Sequence, residues 1–361
     1  MRLRIVTTQE AGAVCSLVAP LSQALGVPVV SGPDPCATHV LVVRAPSPVL
    51  ADLARGLWDA RDDAELLVLA RPGLVGVARR LGAWLSLDTG DASSPLHLLT
   101  RAAADDVVAR GTHLTDAVGT AVTAALGGWR TRDVPVAGAT GMPAPRIGLR
   151  DVARYWSARN SIEAADYDMR AFASRLPPQR RWQRRRHALT TRLLPAVPGT
   201  EVLNVGAGSG KLALDLPGSV SVDVVHAKLR YMRRFAVNRF ATASVFHLPF
   251  RAASFGCVVC CEVIEHVPMD PSPLAELVRV IRPGGRLIVS TPDYGTPVWP
   301  TIEKLYAVAQ PHGYADEHIS HYTRDSLIAA VESFGLRCVG VERLYGAIVI
   351  AAFDRSSSRA V

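Results

Sequence analysis

A chain of 361 residues is long enough for two domains that each bury a core, so disulfides are not needed for stability at this size. Its 49% hydrophobic and 20% charged residues exclude a mainly disordered chain, and no apolar run reaches the roughly 18 residues of a membrane span. The formal charge of +8 favours acidic partners such as nucleic acid, phosphorylated metabolites or an anionic membrane surface, set against a plain arginine-rich composition bias.

The opening MRLRIVTTQEAG enters a strand-like pattern without the apolar core of a signal peptide, which predicts a cytoplasmic protein. From residue 1 to about residue 99, short apolar runs (RLRIVTT, VPVVSG, THVLVVRA, ELLVLAR) alternate with helical patterns at 12–25, around Leu53 and around Val77. That alternation predicts a small open α/β sheet. A longer helix is expected over 91–126, ending at Gly127 and Gly128. No phosphate loop, acid pair or nucleophile motif occurs in this first domain, 1–133, so its task is not legible. The proline-, glycine- and alanine-rich segment 134–150 reads as a linker, followed by a helical lead-in over 151–200 that carries the run RRWQRRRH.

Strands then follow near 201–205, 220–225, 242–246, 257–261, 286–291, 337–343 and 347–353, with helices between the earlier ones. The tight turn at LYG predicts that the last strand inserts antiparallel into an otherwise parallel sheet; 355–361 reads as a frayed tail. Cys257, Cys260 and Cys261 lie in one apolar strand, where residues three apart point to opposite faces. This spacing suits packing better than a disulfide or a metal.

In VLNVGAGSG an apolar strand runs into Gly206, Gly208 and Gly210, where the absence of Cβ lets the backbone turn sharply and approach a ligand. Asp223 ends the next strand, where a carboxylate can accept both hydroxyl hydrogens of a ribose. HLPF follows the third strand, and VIRPGGRLIVSTP supplies a helix end, a turn and the fifth strand. This ordered set resembles the class I, Rossmann-like S-adenosylmethionine methyltransferases, in particular the group that includes ubiquinone-biosynthesis O-methyltransferases, over residues 155–353. The resemblance implies a seven-stranded sheet in 201–354. Gly206, Ala207, Gly208 and Gly210 would lie against the methionine part of the cofactor, Asn204 would also belong to its binding site, Asp223 would hold its ribose, and Val245 and Phe246 would border its adenine. Cys261 and Glu262 would sit beneath the sulfonium. Three positions depart from the family's pattern: Asn204 and Ser244 stand where acids are common, and Gly256 replaces the usual aspartate.

Transfer to a hydroxyl needs an aligned lone pair and a base or metal to take the proton. EVIEHV places Glu262, Glu265 and His266 just past the fourth strand, and HISHYTR adds His318 and His321. His266, Glu265 and His321 are the candidate catalytic groups. Glu262, Glu265, His266 and His318 form a candidate site for a divalent cation such as Mg2+, a pattern similar to that of small-RNA 2'-O-methyltransferases. The stretch between the fifth strand and the last helix, with Trp299, Tyr306, His312 and Tyr314, is placed as a substrate lid.

The arginine run offers phosphate contacts with Trp182 as a stacking platform, or simply a solvated helix face; the latter reading is favoured, and no RNA-binding module accompanies it. The expected activity is O-methylation of a saccharide, lipid-linked glycan or phenolic small molecule. An RNA 2'-O-methyltransferase and a regulatory protein built on the methyltransferase fold are the alternatives. The oligomeric state is not legible.

Overall fold

The structure, a computed structural model, describes residues 1–7, 11–44, 50–70, 77–85, 87–136, 139, 147–198, 201–309 and 318–357. The chain divides into two compact units, Met1–Ala164 and Ala165–Val361.

In the first unit, β1 (Leu3–Thr7), β2 (Val29–Val30), β3 (His39–Val43), β4 (Leu66–Ala70), β5 (Leu96–Thr100) and β6 (Thr131–Pro135) form a sheet in the order β2-β1-β3-β5-β4-β6. β5 runs antiparallel to both of its neighbours and the other pairings are parallel. The accompanying helices are α1 (Ala11–Leu25), α2 (Leu50–Asp59), α3 (Val77–Leu85), α4 (Arg101–Ala109), α5 (Ala117–Leu126) and α6 (Leu149–Asn160). Leu41 and Val43 pack with Leu53 and Leu57 of α2, while Val40 and Val42 pack with Val107 of α4 and Tyr155 of α6. Burial on both faces explains why these strands read as continuous apolar runs.

Two expectations fail here. The helix expected over 91–126 is broken: LHLLT forms β5, and α4 and α5 start afresh on caps where Thr100 and Asp116 accept the N–H of Ala103 (3.3 Å) and Gly119 (2.9 Å). An apolar run buried on both sides carries no period that separates strand from helix. The boundary also shifts. β6 occupies the start of the expected linker 134–150, and α6, expected in the lead-in, belongs to the first unit through buried Tyr155 and Ala158. The Tyr155 hydroxyl lies 3.3 Å from the Thr89 hydroxyl, and burial pushes its pKa up to about 12. Most of the proline-rich stretch, 140–146, lies outside the described residues.

The second unit opens with α7 (Tyr167–Phe172) and α8 (Pro177–Arg192). Then come β7 (Val202–Val205), α9 (Leu212–Asp215), β8 (Val220–Asp223), α10 (His226–Met232), β9 (Arg239–Thr242) and β10 (Phe255–Cys261). After a 3-10 turn at Ile264–His266 follow α11 (Pro271–Val280), β11 (Ile281–Pro292), α12 (Val298–Ala309), α13 (Arg324–Glu332), β12 (Leu336–Leu344) and β13 (Ile348–Arg355). The strand order is β12-β13-β11-β10-β7-β8-β9, with β13 antiparallel between β11 and β12, as the LYG turn predicts. The third strand ends earlier than the expected 242–246. Thr242 pairs with Asp223, the last residue of β8, so the ladder stops there and Val245 and Leu248 turn into the core. Gly256 has a packing reason, because a Cβ there would press on the Glu201–Arg282 ion pair, itself 2.6 Å long. No helix among the described residues is long and apolar enough to cross a membrane.

Assigning α6 to the first unit predicts that Tyr155→Ala costs roughly 3–5 kcal/mol there. Hydrogen exchange checks it: the amides of β3 and β5 should lose protection while those of β7 and β10 keep theirs. An unchanged pattern in β3 and β5 defeats the assignment.

Candidate active site

β7 is central and buried, and its C-terminal end delivers the chain to Gly206 and Gly208, which adopt φ of +62° and +55°. A side chain at either position would also collide, with Val263 at Gly206 and with the Asp168 carboxylate at Gly208. Glycine is therefore required twice over. Ala207 N–H donates to the Val222 carbonyl (2.9 Å), and Gly208 N–H donates to Asp223 Oδ2 (2.8 Å). The other oxygen of Asp223 accepts from Val225 N–H at 2.7 Å. Each carboxylate oxygen keeps a second acceptor position, which suits a ligand hydroxyl. Asn204 is buried in β7, paired in register with Val259 and Ser221.

Sequence reasoning missed the residue that closes this loop. Asp168 of α7 accepts from Ser209 N–H (2.9 Å) and from its hydroxyl (3.3 Å), and its own N–H donates to Ser209 Oγ at 3.1 Å. Burial pushes the Asp168 carboxyl up, but Lys228 at 3.5 Å, the Ser209 N–H and the Arg186 charge outweigh it and hold the group below the usual carboxylate range. Forty-one residues separate the partners, so no local motif announces them.

On the opposite side of the loop, Val245 is buried and Phe246 packs against the core. Phe246 N–H donates to Ser244 Oγ (3.3 Å), and Leu248 N–H donates to Glu276 of α11 (2.7 Å), so helix α11 fixes this irregular segment.

β10 carries the acceptor side. Its cysteines are buried or nearly so, and burial pushes Cys257 up to about 12 and Cys261 to about 11, which leaves protonated thiols at neutral pH. Glu262 takes φ +56°. Its carboxylate accepts from the Ser290 hydroxyl (2.6 Å) and lies 3.7 Å from Arg186. Glu265 is 1% exposed, its carboxylate oxygens make no hydrogen bond of ordinary geometry and feel the Thr291 hydroxyl only weakly, and its main-chain carbonyl accepts from Ile319 and Ser320 (2.9 and 3.0 Å). Burial first, and the nearby Glu262 charge second, push its carboxyl well above the ordinary range.

The candidate ligand atoms of Glu265, His266 and His318 all lie within 4.8 Å of one another. Burial and His266 lower the His318 pKa; its Nδ1 lies 3.2 Å from the Tyr294 hydroxyl and 3.1 Å from Glu303. Three of the four residues proposed as metal ligands thus come together. Glu262 does not join them, and His321 instead stacks on Tyr294 with ring centroids 4.1 Å apart. Tyr294 and Glu303 were missed, although TPDYG directly follows the fifth strand. Of the lid residues, Trp299 sits 5.6 Å from His318 between centroids; His312, Tyr314 and the side chain of Tyr306 lie outside the described residues.

Asp168→Ala should remove about 1.5–3 kcal/mol of charge-assisted hydrogen bonding from the glycine loop. Calorimetry with S-adenosylhomocysteine should show binding weakened roughly ten- to a hundredfold. Unaltered affinity would remove Asp168 from the site.

A family described as a methyltransferase domain matches residues 203–289. The chain is 31% identical over 222 residues to a demethylmenaquinone methyltransferase of Beutenbergia cavernae, covering 55% of this chain and 85% of that one. It is 26% identical over 160 residues to the O-methyltransferase cnsE of Penicillium expansum, covering 40% of this chain and 58% of that protein. It is 28% identical over 166 residues to the ubiquinone/menaquinone biosynthesis C-methyltransferase UbiE of Rhizobium etli, covering 37% of this chain and 63% of that protein. With its strand order, its glycine loop tied to Asp223 and these relatives, the chain belongs to the class I, Rossmann-like S-adenosylmethionine-dependent methyltransferases.

Proposed function

We propose that the protein methylates an oxygen of a hydroxylated small molecule, on a saccharide, a lipid-linked glycan or a phenolic ring. The observation that carries this reading is the buried carboxyl of Glu265 beside two histidines just past β10. An amine or thiolate acceptor needs little more than alignment, whereas a hydroxyl needs somewhere to send its proton.

Bound S-adenosylmethionine supplies an electrophilic methyl on sulfur. In this reading Asp223 receives the ribose hydroxyls, Asp168 and Ser209 keep the loop closed, and Val245 with Phe246 borders the adenine. Cys261 and Glu262 stand under the methionine end, with Glu262 held by Ser290 and Arg186. The cofactor would supply its methyl to the acceptor oxygen, leaving as the neutral thioether, and His266 would take the hydroxyl proton. The neutral Glu265 carboxyl would offer its carbonyl oxygen to the imidazolium as a hydrogen-bond acceptor, while Tyr294 and Glu303 hold the His318 ring. A phenolic acceptor also fits relatives named for both oxygen and carbon methylation, since loss of the same proton activates either position.

A second reading rests on the same cluster. Glu265, His266 and His318 would hold a divalent cation, which lowers the pKa of a coordinated hydroxyl, and an RNA 2'-hydroxyl is then an eligible acceptor. Two imidazoles and one carboxylate suit manganese, iron or zinc; they do not suit the Mg2+ expected from the sequence, which prefers oxygen ligands.

Isotopically labelled cofactor, incubated with a metabolite extract and followed by mass spectrometry, should place the label on oxygen; label on nitrogen or sulfur overturns the reading. His266→Ala should lower kcat/KM roughly 10²–10⁴-fold with S-adenosylhomocysteine affinity unchanged. Activity that resists exhaustive chelation removes the cation.

Glu265 gives a separate pH signature. A carboxyl whose pKa rises on folding binds its proton more tightly in the folded chain, so stability falls as pH climbs above the unfolded value of about 4.3. Glu265→Gln removes that loss. Its melting temperature should exceed that of the parent chain near about pH 8 and converge with it near about pH 4, while turnover drops. Parallel melting curves at both pH values would contradict a buried, protonated Glu265.

A further inference from the structure

The outer face of α8 holds a feature that methyl transfer does not use. Arg180, Arg181, Arg184 and Arg185 line, with Tyr345, an open groove of about 710 Å³. Spacing at i, i+1, i+4 and i+5 puts the four Cα atoms within about 7.5 Å along the helix axis. Elsewhere on α8 the cations have carboxylate partners: Arg186 has Glu262, His187 has Asp215 and Arg192 has Glu342. Among the described residues no carboxylate lies within ion-pairing distance of the four groove arginines. Arg180 is held by the Ser174 carbonyl at 3.0 Å, and Arg184 lies over the Phe172 ring at 5.7 Å. Arg181 and Arg185 are exposed. Four like charges on two turns repel one another unless an anion joins them.

Tyr345 adds an aromatic wall. It stands in the β12–β13 turn at φ +50°, a conformation that favours glycine or asparagine, is 52% exposed, and leans on Trp182 with centroids 5.8 Å apart. A single aromatic face and a groove of small-molecule size argue against a nucleic-acid strand, which needs successive stacking platforms.

We propose that this groove binds a small diphosphate-bearing compound of the nucleoside diphosphate class, with the arginines on its phosphates and Tyr345 stacked on its ring. Such a site goes beyond the methyl-transfer reading and stands without it.

Calorimetry on the full chain tests it with orthophosphate, pyrophosphate and ADP as probes and S-adenosylhomocysteine as a control on the fold. Pyrophosphate should bind at least about tenfold more tightly than orthophosphate, because bidentate arginine contacts multiply. ADP should bind more tightly still. The double variant Arg181→Ala, Arg185→Ala should lose about tenfold or more for both, and Tyr345→Asn should lose only the advantage of ADP over pyrophosphate. Binding of S-adenosylhomocysteine should not change in either variant. Equal pyrophosphate affinity in the double variant, or none in the parent chain, overturns the proposal. So does affinity for oligouridylate that rises with length while ADP fails to bind, since that outcome describes a strand site.

Discussion

The carboxylate of Asp223 is the constraint on which the cofactor side of the second unit depends. It ends β8, accepts a main-chain N–H from the glycine loop after β7 and another from the start of its own loop, and so ties two adjacent strand ends together. Main-chain donors that leave a ladder need new partners, and a buried carboxylate receiving two of them satisfies both sides. The loop can then hold two left-handed glycines without drifting. Parallel strands make this arrangement possible, because β7, β8 and β10 all deliver their C-terminal ends to the same edge.

Glu265 stands in contrast. Asp223 is buried with a main-chain donor on each oxygen, whereas the buried Glu265 carboxyl makes no hydrogen bond of ordinary geometry. An uncompensated buried carboxyl costs stability or takes up a proton. The fold keeps it in place through its main chain, which accepts two N–H groups from the segment after His318. That anchoring also brings His318 to His266. Its raised pKa distinguishes this carboxyl from the well-partnered carboxylates around it.

Much of the second unit was legible because its signals are local. A strand running into three glycines, an aspartate at the end of the next strand, and a PGG turn before an apolar run each occupy a few consecutive residues. The antiparallel last strand followed from a short turn. What was not legible depends on distance or on burial from two sides. Asp168 meets Ser209 from a helix that precedes the sheet, and Tyr294 and Glu303 reach His318 only once α12 has folded back. In the first unit LHLLT reads as part of a helix, because a strand apolar on both faces has no alternation to reveal it. The segment 134–150 shows the limit of composition: its prolines and glycines mark irregular chain, yet β6 lies at its start and α6, packed on the first unit's core, includes its last two residues.

Glu262 and Glu265 show how three residues of spacing can still give two roles. On a continuing helix they would share a face and compete for one ligand or one proton. Here Glu262 adopts a left-handed conformation at the strand end, and the chain then enters a 3-10 turn. That reversal sends the first carboxylate to Ser290 and Arg186, where it accepts a hydrogen bond and faces a guanidinium. The second is driven inward beside the histidines, where burial and the charge on the first push its pKa up. The two groups meet different surroundings because the backbone between them turns, and the charge of the first adds to burial in raising the pKa of the second.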